Sequence, residues 1–72
     1  MQTFIINQNQ QPNGDHEVHN TTTGCIFMPL LDNQIPLGTH LTCTGAVTEA
    51  RRRFADARIN GCYFCCAPCH TT

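Results

Sequence analysis

Asn60-Gly61-Cys62-Tyr63-Phe64-Cys65-Cys66-Ala67-Pro68-Cys69-His70 carries four of the six cysteines. Two C-x2-C pairs abut in it, Cys62-x2-Cys65 and Cys66-x2-Cys69, and His70 follows. A two-residue spacer lets both thiolates of one turn reach a single tetrahedral ion at a Zn–S distance of about 2.3 Å. Gly61, just ahead of Cys62, favours such a turn. One pair supplies half of a closed ligand set, so the other half must come from elsewhere. His19 and Cys25, behind an early strand, are placed to do so. The reading is therefore a zinc site made of His19, Cys25, Cys62 and Cys65, with Cys66, Cys69 or His70 as replacements for any of them. Two half-sites so far apart would clip both ends of the chain together, where a staple acts on the longest loop.

The rest of the sequence explains why a staple is needed. A chain of 72 residues buries only about 60% of the surface its unfolded form exposes, which gives a thin core. Small scaffolds make up the shortfall with disulfides, a metal or a partner. The net charge is −1, from four arginines against five carboxylates, and there is no lysine. No broad basic face exists to drive nucleic-acid binding by counterion release. With only 12% charged residues, solubility rests on neutral polar groups, and a net charge near zero favours self-association. Met1–Asn7 has no basic flank and too short an apolar run for a signal peptide. No stretch approaches the roughly 18 apolar residues of a membrane span. The expected compartment is the cytoplasm, where thiols stay reduced and clustered cysteines serve as metal ligands.

Outward from the tail, the pattern predicts one α+β domain over residues 1–72: two or three short antiparallel strands, one amphipathic helix and a cysteine-rich C-terminal knuckle. Residues 2–7 read as a strand from their β-branched and aromatic content. Pro12-Asn13-Gly14-Asp15 is turn chemistry, and Glu17-Val18-His19 is a second strand, completing a hairpin. Ile35–Leu37 is a third strand, with Pro36 marking an edge. The helix runs from Thr42 or Thr44 to Ala57, with Cys43, Val47, Ala50, Phe54 and Ala57 on one apolar stripe. Arg51, Arg52 and Arg53 lie toward its C-terminal half, where cations suit the dipole. Asn60-Gly61 reads as the helix stop.

Other residues have plainer roles. Cys43, on the stripe, is expected to be a small buried hydrophobe, and His16 and His40 to be solvated. The arginine run reads as a solvated face, with an anion or protein-partner contact as the sharper alternative. Cys66-Ala-Pro-Cys69-His70 matches the attachment motif of c-type haem and also a thioredoxin-type dithiol, but neither a haem pocket nor a following helix is encoded. The carboxylates show no paired arrangement for acid–base catalysis, so no enzyme is expected.

Asn13-Gly14-Asp15-His16-Glu17-Val18-His19, Leu37-Gly38 before an alanine-bearing helix, and Asn60-Gly61-Cys62…Cys65…Cys69-His70-Thr71 together resemble a group of short bacterial proteins of unknown function. The likeness spans nearly the whole chain and implies no activity. More loosely, the layout is similar to the metal-binding domain of the Ada DNA-repair protein. That likeness implies zinc held by His19, Cys25, Cys62 and Cys65, although the Arg-Pro that commonly precedes the terminal pair is missing. The expectation is a structural zinc module that acts as a binding unit, with a redox-responsive thiol protein as the alternative.

Overall fold

Strands β1 (Gln2–Asn7) and β2 (Asp15–Asn20) form the expected hairpin in the computed structural model, which describes residues 1–71. They pair antiparallel, with Ile6 opposite Val18 and Ile5 opposite His19. Asn13 closes the turn by accepting the Asp15 N–H through its side-chain oxygen at 2.9 Å, the local bond that favours Asn in turns.

Strand β3 (Gln34–His40) lies antiparallel on the free side of β1. It is an edge, as Pro36 suggests, because proline has no N–H to give to a ladder. The register slips between Phe4 and Ile5, so Leu37 has no partner in the ladder. Gly38 takes up the bulge at φ 82°, a conformation open to glycine, and Leu37 is buried in the core.

Helix α1 (Cys43–Arg53) crosses from β3 to a fourth strand, β4 (Arg58–Gly61), which pairs parallel with β2. The order is β3-β1-β2-β4. The sheet thus has four strands and is mixed, where two or three antiparallel strands were expected. Arg58-Ile59-Asn60-Gly61 is too short to show a period, and Asn60-Gly61 looks like a helix stop. Parallel pairing supplies what the local pattern lacks. Arg58 Nε meets Asp15 Oδ1 at 3.0 Å, and Asn60 Nδ2 donates to Asp15 Oδ2 at 3.3 Å. The helix also ends earlier than its stripe suggests. Phe54 closes it, donating its N–H to the Ala50 carbonyl at 2.8 Å, and Ala57 falls in the following turn.

Alternation along the strands sends Phe4, Ile6 and Val18 to the face covered by α1, where they pack with Leu37, Cys43, Ala46, Val47 and Ala50. The same alternation turns Glu17 and His19 to the opposite face. Among the described residues no helix is long and apolar enough to cross a membrane.

Candidate metal centre

His19 points away from the helix, yet it is fully buried, because two loops fold over it. The first leaves β2 at Asn20, itself 4% exposed. The Asn20 side-chain oxygen accepts the N–H groups of Thr22 and Thr23 at 2.9 and 3.2 Å, and its carbonyl accepts from Gly24 at 2.9 Å. These bonds double the chain back and bring Cys25 over His19.

The second loop follows β4. Its first residue, Cys62, still donates its N–H to the Val18 carbonyl at 2.9 Å, and Cys66 N–H then bonds the Cys62 carbonyl at 2.8 Å. That turn carries Cys65 back toward Cys62. Gly61 makes the turn possible: a Cβ there would stand 2.7 Å from Cys69 Cβ and 2.9 Å from the Cys66 carbonyl oxygen.

The ligand atoms of His19, Cys25, Cys62 and Cys65 all lie within 4.8 Å of one another. Cys25 Sγ is 3.9 Å from Cys62 Sγ and 3.7 Å from His19 Nδ1, and Cys65 Sγ is 3.5 Å from His19 Nδ1. The side chains singled out in the sequence therefore converge, and they form a group able to bind a metal ion.

The surroundings bear on its chemistry. Asn20 N–H points at Cys65 Sγ at 3.3 Å, a bond that favours thiolate. Burial, the larger effect, pushes the Cys65 thiol well above its ordinary range, and burial holds His19 below 6.5. Without a cation these groups stay neutral; a bound cation reverses that preference by stabilising thiolate directly. If Nδ1 is the ligand, the imidazole proton sits on Nε2. That atom is buried without a hydrogen bond, and Glu17 Oε1 lies 3.5 Å away. A carboxylate behind a ligating histidine fixes its ring and raises its basicity. Burial raises the pKa of Glu17 itself, opposed by the nearby His70 and reinforced by Asp15. Glu17 and Asn20 escaped the sequence reading, although i−2 spacing on a strand already places Glu17 on the face of His19.

The remaining candidates lie elsewhere. Cys69 is bridged to Cys43. Cys43 is therefore a covalent partner as well as a core residue, and Cys66-x2-Cys69 is neither a dithiol nor a haem anchor. Cys66 is a free thiol, 1% exposed, and burial pushes its pKa up to about 11. His70 Nδ1 lies 3.0 Å from the Gly61 carbonyl oxygen. His16 and His40 are half-buried against the carbonyls of Asn7 and Leu37 at 3.0 and 2.8 Å, so neither is simply solvated. Of the arginine run, Arg52 pairs with Glu49 at 2.7 Å and Arg53 donates to the Pro36 carbonyl at 2.7 Å. Arg51 borders a shallow cleft of about 200 Å³ with Thr44, Thr48 and Thr71. Comparison with protein-family models, curated proteins and solved structures returns no match.

Proposed function

We propose that this chain is a structural zinc module that serves as a binding unit, with one Zn²⁺ held by His19 Nδ1, Cys25, Cys62 and Cys65. One observation carries the reading. A tetrahedral ion at about 2.3 Å from sulfur and about 2.05 Å from nitrogen needs ligand-to-ligand edges of about 3.8 Å (S–S) and about 3.6 Å (S–N). The separations of 3.9, 3.7 and 3.5 Å fit that frame. Three sulfurs and one nitrogen are also the donors zinc prefers. With all four positions filled by protein, no open position remains for substrate or water, which favours a structural over a catalytic role. Glu17 orients the histidine, and Asn20 N–H supports the Cys65 thiolate.

A second reading has its own observation. The Cys43–Cys69 bridge ties the tail to the helix and supports a redox-responsive thiol protein.

Native mass spectrometry of the protein as purified, beside its denatured mass, separates the two. One zinc per chain and a covalent mass two hydrogens below the fully reduced value is the expected result. Chelator should then unfold the chain, because metal binding is folding free energy in such domains. A metal-free chain lighter by four or six hydrogens retires the zinc reading and puts the redox one in its place.

A further inference from the structure

The rim of the metal cluster is aromatic and exposed. Phe27 stands two residues after Cys25, and Tyr63 and Phe64 fill the spacer of Cys62-x2-Cys65. The Phe27 and Phe64 rings stack at 4.6 Å, and Tyr63 meets Phe64 edge-on at 5.2 Å. All three stay more than half exposed, at 54, 61 and 62%. Rings held together in water are a clustered patch, unlike the scattered apolar side chains of an ordinary surface. Between them and strand β2 lies a cleft of about 200 Å³ lined by Gln11, Glu17, Phe27, Cys62, Tyr63 and Phe64.

Charge selects the occupant. Aromatic faces attract cations through their quadrupole. Three thiolates, a neutral imidazole and a dication leave one negative charge on the knuckle, and Glu17 adds another. The chain has no lysine, and Arg58, on the neighbouring strand, is held by Asp15 at 3.0 Å. His70, whose charge bears on Glu17, sits with its ring edge-on to Tyr63 at 5.4 Å and its Nδ1 3.0 Å from the Gly61 carbonyl oxygen. Glu17 Oε1 is turned to His19, which leaves a single oxygen to accept. A lone acceptor suits the point charge of an ammonium better than the two-pronged fork of a guanidinium. The methylene stem of a lysine covers apolar surface while its head reaches a polar group.

We infer that this cleft docks a lysine side chain of a partner protein, with the stem along Phe27 and Tyr63 and the ammonium between the Phe64 ring and Glu17. The inference rests on the zinc reading for the charge of the knuckle and for the ordering of its two loops.

The test titrates the zinc-loaded chain with N-acetyl-lysine methylamide, its norleucine counterpart (the same stem without the charge) and its arginine counterpart. The readout is the ring resonances of Phe27, Tyr63 and Phe64, and metal content is followed by native mass in the same samples. The lysine probe is expected to move those resonances and to bind at least about threefold tighter than norleucine, the scale of an exposed cation–π contact, and tighter than arginine. Phe64→Leu, which keeps the apolar bulk and removes the ring, should reduce the preference by the cation–π share while one zinc stays bound. Equal binding of lysine and norleucine, or an unchanged preference in Phe64→Leu, overturns the inference. Ring resonances that shift when the chain alone is diluted overturn it too, by showing that a second copy covers the patch. Zinc bound without any lysine preference sinks the docking site alone. A lysine preference in a chain that holds no metal sinks the zinc reading and keeps the site.

Discussion

At the scale of single residues, two neighbouring thiols differ sharply in what they touch. Cys62 and Cys66 are both 1% exposed, but only Cys62 belongs to the four-residue cluster. Cys62→Ser should lose the zinc and with it the cooperative thermal transition. Cys66→Ser should keep one zinc and melt a few degrees lower, as expected when a hydroxyl replaces a small apolar group in a core. Metal content by mass, read beside the melting curve, checks the contrast. Glu17→Gln keeps the shape of the side chain but removes the charge behind His19, and the loss of such a partner weakens metal affinity about 10–100-fold. A competition titration with a chromophoric chelator reads that shift, and unaltered affinity would mean that Glu17 does not orient the ligand. Gly61→Ala is expected to cost about 1–3 kcal/mol, the usual penalty for overpacking, since its Cβ would meet Cys69 Cβ at 2.7 Å and backbone oxygen at 2.9 Å. Urea denaturation measures this directly.

At the scale of elements, helix and tail are joined twice over: by packing of Cys66 against the helical face of the sheet and by the Cys43–Cys69 bridge across 26 residues. Closing a loop of that length removes chain entropy worth about 3.5 kcal/mol from the unfolded state. Cys43→Ser should therefore lower stability by about that amount while zinc stoichiometry stays at one, because neither bridged cysteine is in the ligand group. Reductant should lower the melting temperature of the wild type and leave the variant unmoved. Zinc lost from Cys43→Ser would show instead that the bridge holds the knuckle in place. Strand β4 is the element least visible beforehand. Four residues, Arg58–Gly61, carry no readable period, and what makes them a strand is the parallel ladder with β2 and the Asp15 contacts of Arg58 and Asn60. By contrast, β1, the β1–β2 hairpin and the edge position of β3 follow from β-branched content, turn chemistry and Pro36, all of them local.

At the scale of the whole molecule, stability should be bounded by pH on both sides. In the metal-free chain burial holds His19 below 6.5, so the folded chain binds fewer protons there than the unfolded one. That contribution is present above 6.5 and is lost as pH falls below it. In the zinc-loaded protein His19 and the thiolates take up protons only by giving up the metal, so the loss runs in the same direction. On the alkaline side, Cys66 is pushed up to about 11 from 9.0. It favours the folded state below 9, and that gain disappears as pH rises from 9 towards 11. Denaturation midpoints of the zinc-loaded protein across this range should form a plateau that falls away at both ends. A midpoint constant from pH 9 to 11 in the wild type would contradict the buried position of Cys66.

Sequence alone determined what depends on neighbours along the chain: the α+β class, the hairpin, the stripe of Cys43, Val47 and Ala50, and the two half-sites with the spacing a metal turn needs. Only the tertiary structure decided what depends on distant segments meeting. It made Arg58–Gly61 a strand, paired Cys43 with Cys69, set Glu17 behind His19, and brought Cys25 to 3.9 Å from Cys62 across 37 residues. Local pattern reports the preferences of a backbone within a turn or two. Which thiol meets which is settled by the crossing of α1 over the sheet, and no spacing along the chain encodes that crossing.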